Sequence, residues 1–186
     1  MAIKTFTAGE VLTAADTNTY LANSGLVYVK QQTVGSAVSS VEVTAAFSST
    51  YDNYEIIYTG GAASTAQNLR IQFGSTTTGY YSGLIYIIAN SNTVGGLGND
   101  NGANFPYLGE STTTGGCRLS CKILSPNLAT RTGIAAQYVG TGTSGAAFGM
   151  ANGNLDNNTQ YTSFTITPNT GTITGGIIFV YGYRKA

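Results

Sequence analysis

A chain of 186 residues with 42% hydrophobic side chains has room for one domain with a core plus a short extension, and this argues against disorder. Only 9% of residues are charged, far below the usual roughly 25%, and eight basic side chains balance eight acidic ones. That leaves no basic stripe to grip nucleic acid or an anionic membrane surface, and the solvated surface must be built from Thr, Ser, Asn, Gln, Gly and Tyr.

The opening Met1 to Thr7 has no apolar run of the signal-peptide kind, so the expectation is a chain made in a cytosol. Phe6 and the Val11-Leu12 pair flank Ala8-Gly9-Glu10, which reads as a turn. Thr13 then caps a helix, with Ala14 and Ala15 as strong helix formers and Asp16 placed to reach back to the cap. The residues up to Asn23 complete about three turns, and Gly25 fits the left-handed stop. Ala14, Tyr20 and Leu21 give only a thin apolar stripe. So short a helix is marginal alone and needs a partner surface, in its own domain or in another protein.

From Leu26 onward the period becomes two. Strands are predicted at Leu26–Lys30, Ser40–Phe47, Asp52–Thr59, Asn68–Phe73, Tyr80–Ala89, Cys117–Leu124, Gly133–Val139, Ala146–Met150, Tyr161–Thr167 and Ile177–Arg184. Glycine- and asparagine-rich turns separate nearly all of them. About ten short strands at this spacing, with few prolines, predict an all-β chain: an antiparallel β-sandwich or jelly-roll domain over 26–186, preceded by a helical anchor over 1–25. Asn90 to Asn104 (NSNTVGGLGNDNGAN) reads as a long loop, either a flexible tip or a loop ordered by a partner. The longest apolar run, Ile177 to Tyr181, is too short to span a bilayer.

Chemistry is scarce. Without histidine there is no Ser-His-Asp triad, no Cys-His pair and no imidazole metal ligand. The eight carboxylates are scattered, and Asp52 and Glu55 have opposite strand parity. Gly95-Gly96-Leu97-Gly98 lacks the lysine and helix of a phosphate loop, and Asn99-Asp100-Asn101-Gly102 reads better as a turn than as a calcium loop. Cys117 and Cys121 lie about 13 Å apart along one strand, beyond the roughly 7 Å that a disulfide allows, so they read as two core thiols. No enzyme, cofactor or metal site is expected. Tyrosine, at 13 copies, is the abundant recognition-capable residue. Its ring can stack on a sugar while its hydroxyl hydrogen-bonds. Tyr80, Tyr81, Phe105 and Tyr107 flank loops and are the candidates, against the alternative that each is core.

The segment Phe6-Thr7-Ala8-Gly9-Glu10-Val11-Leu12-Thr13-Ala14-Ala15-Asp16-Thr17-Asn18 resembles the amino-terminal segment of tailed-bacteriophage virion proteins, F-x-A-G-[ED]-x-L-T-A-x-D-x-N, found in tail-fibre, minor tail and head-decoration components. Tyr51-Asp52-Asn53-Tyr54-Glu55-Ile56 is similar to a strand entry of small phage fibre domains, and Thr165-Ile166-Thr167-Pro168 through Gly175-Gly176 with the closing Val180-Tyr181-Gly182-Tyr183-Arg184 is similar to their carboxy-terminal pair of strands. The resemblance implies a non-enzymatic, often trimeric structural protein of the virion, assembled in the bacterial host cytoplasm. Phe6, Glu10, Leu12, Asp16 and Tyr20 would anchor it to other virion proteins. The β-domain would face a host glycan or protein, and Tyr80, Tyr81, Asn99, Asp100, Asn101, Phe105 and Tyr107 are the expected receptor contacts. A capsid decoration or head-fibre protein and a free carbohydrate-binding module are the alternatives.

Overall fold

The computed structural model describes residues 5–17, 25–142 and 145–185. In chain order the strands are β1 Leu26–Thr33, β2 Val41–Val43, β3 Tyr51–Gly60, β4 Ala62–Ala63 and β5 Gln67–Phe73. Then come β6 Tyr80–Ile88, β7 Thr93–Gly102, β8 Gly109–Thr112, β9 Gly116–Leu124 and β10 Thr132–Gly142. The last four are β11 Gly145–Leu155, β12 Phe164–Pro168, β13 Ile173–Thr174 and β14 Ile177–Arg184. The protein is an all-β antiparallel sandwich, as the period-two pattern predicts.

Strand β9 is where one sheet becomes two layers. Along one edge it pairs with β3 from Leu124↔Asn53 to Cys117↔Gly60. Along the other, its first half pairs with β8 and its second half with β10. One layer therefore runs β1-β14-β3-β9-β10-β11-β6-β7, and the other runs β2-β12-β5-β8. The core fills the space between them. Tyr54, Ile56 and Tyr58 of β3 point in, as do Leu69, Ile71 and Phe73 of β5 and Phe164 and Ile166 of β12. Phe47, on the loop after β2, stitches the layers together. Its ring lies 4.8 Å from Tyr54, 5.9 Å from Phe73 and 5.6 Å from Phe164.

Buried tyrosines keep their hydroxyls satisfied, as a dry interior requires. Tyr54 Oη accepts from Ser48 N and donates to Ser48 O. Tyr58 Oη donates to Gly175 O, and Tyr138 Oη donates to Asn68 Oδ1. Tyr80 Oη accepts from Phe73 N at 2.7 Å.

Cys117, Leu119, Cys121 and Ile123 share the inward face of β9, and the two thiols are free. Burial raises the pKa of both, opposed at Cys117 by its hydrogen-bond contacts with Tyr58 and Ser111. A thiol reagent at pH 8 should therefore label neither cysteine in the folded protein and both after denaturation. Labelling of the folded protein at the rate of a free thiol would contradict their burial.

One expectation is corrected. Asn90–Asn104 is not a loop: Thr93–Gly102 forms β7, paired along β6 from Ile88↔Thr93 to Tyr80↔Gly102. Glycine allows this close pairing, since a Cβ on Gly95 would lie 2.5 Å from the Tyr86 ring. In β14, Ile178 and Val180 face the core, while Phe179, Tyr181 and Tyr183 face out and are half-buried.

Candidate functional site

Residues 5–17 form a short, exposed segment held by two similar local devices. In Thr7-Ala8-Gly9-Glu10 the Glu10 N–H donates to Thr7 O, closing a β-turn with Gly9 at its left-handed position (φ +87°). The Glu10 carboxylate accepts from Thr7 N at 3.1 Å. In Thr13-Ala14-Ala15-Asp16 the Thr13 hydroxyl accepts from Asp16 N while the Asp16 carboxylate accepts from Thr13 N, both at 3.1 Å. That is a reciprocal capping box, and it opens the single helical turn α1, Ala14–Asp16. The rest of the predicted helix, with Tyr20 and Leu21, lies outside the described residues. Between and before these turns Phe6, Val11 and Leu12 stand 39%, 78% and 50% exposed. The segment has a defined local shape and offers its apolar side chains to solvent.

The expected receptor residues do not act together. Tyr80 and Phe105 are fully buried, packed edge-on at 4.9 Å, and so are unavailable to a receptor. Tyr107 packs against the core. Asn99 Nδ2 donates to Tyr80 O and Asn104 O, and Asn101 Oδ1 accepts from Gly79 N. Both asparagines shape the β6–β7 hairpin where its register shifts between Tyr80 and Ser82. Tyr81 and Asp100 are exposed.

The outward face of the longer layer carries a different set. Strand pairing aligns Tyr28, Tyr181, Glu55 and Lys122 in one row across β1, β14, β3 and β9. Tyr28 and Tyr181 meet edge-on at 6.1 Å, and Phe179 stacks on Tyr181 at 6.3 Å. Tyr183 Oη donates to Glu55 Oε2 at 3.1 Å, and Lys122 Nζ lies 6.0 Å above the Tyr183 ring. Desolvation, then the Glu55 contact, raises the Tyr183 pKa. Aromatic faces beside a carboxylate, an ammonium and a phenol are suited to a polyhydroxylated ligand: rings for the C–H faces, polar groups for the hydroxyls.

The in-phase run Ile177, Phe179, Tyr181, Tyr183 is visible in the sequence. What hid its role is that the other phase, Ile178 and Val180, is apolar too. No protein family matches this chain, and no curated protein matches it.

Proposed function

We propose that the protein is a structural component of a tailed-phage virion, a short tail fibre or adhesin that docks through residues 1–25 and presents its β-domain to the host surface. The observation that carries this reading is the amino-terminal segment. Two reciprocal turns hold it in shape, yet Phe6, Val11 and Leu12 remain exposed. Pre-ordering a segment lowers the entropy cost of docking it, and exposed apolar side chains supply the contact area. A particle protein that receives this segment covers those side chains.

Deleting residues 1–24 should leave a protein with an unchanged thermal transition that is missing from purified virions. Leu12→Asp, on an exposed side chain, should reduce incorporation more than tenfold without lowering the melting temperature, since a central interface side chain carries about 2 kcal/mol or more. Normal incorporation of the truncated protein would overturn the docking role.

A second reading, a glycan-binding module, is favoured by the aromatic row of Tyr28, Phe179 and Tyr181 beside Glu55, Lys122 and Tyr183. It predicts that isolated protein binds host-surface polysaccharide and that Tyr28→Ala weakens this binding. A head-fibre or decoration role shares the docking segment, and labelled particles in electron micrographs separate it from a tail position.

A further inference from the structure

Beyond the aromatic row, the same outward face turns apolar. Ile85, Ile87, Val94, Phe148 and Met150 are 70%, 39%, 70%, 47% and 62% exposed. Strand pairing makes them neighbours: Ile85↔Met150 and Ile87↔Phe148 join β6 to β11, and Ile87↔Val94 joins β6 to β7. Together they line an open depression of about 660 Å³ whose lining contains no charged side chain. At about 150–250 Å² per large side chain, these fractions leave on the order of 600 Å² of apolar surface in water. That is the top of the range for the largest patch on a soluble monomer, roughly 300–600 Å². It is most of the roughly 800 Å² that each partner contributes to a standard interface.

We propose that this face, formed by β6, β7 and β11, is where copies of the chain pack on one another, sheet against sheet. Three features select a second copy as the occupant. The patch approaches in area what a stable self-contact needs. Its lining is uncharged, so setting it against the same lining of a second copy brings no like charges together there. Among the described residues the adjoining strand β7 ends the sheet and pairs only with β6, and besides the exposed Asp100 it carries no charge or proline to keep another copy away. A lipid surface is disfavoured because no basic side chain lines the patch. A small ligand is disfavoured because so open a depression cannot enclose it.

Sedimentation equilibrium on the full chain tests this. Wild-type protein should associate, and Ile85→Lys/Met150→Lys should weaken the association by more than about 100-fold, two buried interface positions each becoming an unpaired charge. Ile85→Thr/Met150→Gln, which adds no charge, should weaken it in the same direction and serves if the lysine pair fails to fold. Tyr28→Lys, at the far end of the same face, should leave the constant unchanged. A wild-type protein that stays monomeric at all concentrations overturns the proposal. So does a Thr/Gln variant that associates as tightly as wild type. Neither result bears on docking through residues 1–25, which the incorporation assay reads separately.

Discussion

Raising the pH above about 10 should unfold this protein cooperatively, because its core is rich in acids held neutral by burial. Desolvation raises the pKa of Tyr58, Tyr80 and Tyr138 above the ordinary value of 10.0, Tyr138 to about 12. At Tyr80 a backbone hydrogen bond from Phe73 partly opposes the rise. Cys117 and Cys121 are raised above 9.0 by the same cause. A group whose folded pKa is raised binds its proton more tightly in the fold. Its contribution is fully present below the unfolded value and is lost as pH climbs through the folded value. The loss therefore begins near pH 9 with the thiols and steepens above pH 10 with the phenols. Against a total of about 5–15 kcal/mol, several such groups suffice. Tyrosine absorbance at 295 nm should rise in step with loss of the sheet signal in circular dichroism. Smooth ionisation of all phenols near pH 10, with the sheet intact, would contradict the buried hydroxyl network. The sequence has no histidine, the side chain that ordinarily titrates near neutrality.

Several strands were legible because one face was apolar and the other was not. In DNYEIIYT and NLRIQF the alternation names Tyr54, Ile56, Tyr58, Leu69, Ile71 and Phe73, and all six are buried. GGCRLSCKIL behaves likewise. Legibility ended where both phases were apolar or neither was. Residues 80–88 place Tyr80 and Leu84 inside and Ile85 and Ile87 outside, a choice made by the layer opposite rather than by the strand itself. Strand β7 has almost no apolar signal. Its pairing to β6 rests on backbone hydrogen bonds, and its glycines satisfy close approach rather than a turn. Tyr80 and Phe105 flank loops in sequence, which made them look like contact residues, but each finds the other across the core. The amino-terminal cap needed only residues three apart, Thr13 and Asp16, and was readable for that reason. The matching pair Thr7 and Glu10 has the same spacing and could have been found by the same signal.

These differences assign separate work to separate surfaces. The aromatic row and the apolar patch lie on one sheet face, outside the layer contact, so changes there should alter binding or association while the fold persists. The inner face carries stability. Phe47→Ala should accordingly be the most destabilising of the single aromatic truncations discussed, although Phe47 sits on a loop. Its ring bridges Tyr54 of one layer and Phe73 and Phe164 of the other. Its backbone is fixed by the Ala46 and Phe47 N–H groups donating to Thr162 O. The loop therefore cannot easily follow the lost ring inward, and a cavity remains between the layers. A buried Phe→Ala change of this kind costs about 3–5 kcal/mol. At about 2–4 °C per kcal/mol for a domain of this size, the melting temperature should fall by about 10–15 °C. Phe179→Ala, a half-buried ring on the outer face, should lower it by a few degrees at most. Both are to be compared at one protein concentration, because association shifts apparent stability. A Phe47→Ala protein that melts with wild type would show that the layers are held by the β8–β9 junction and not by this ring.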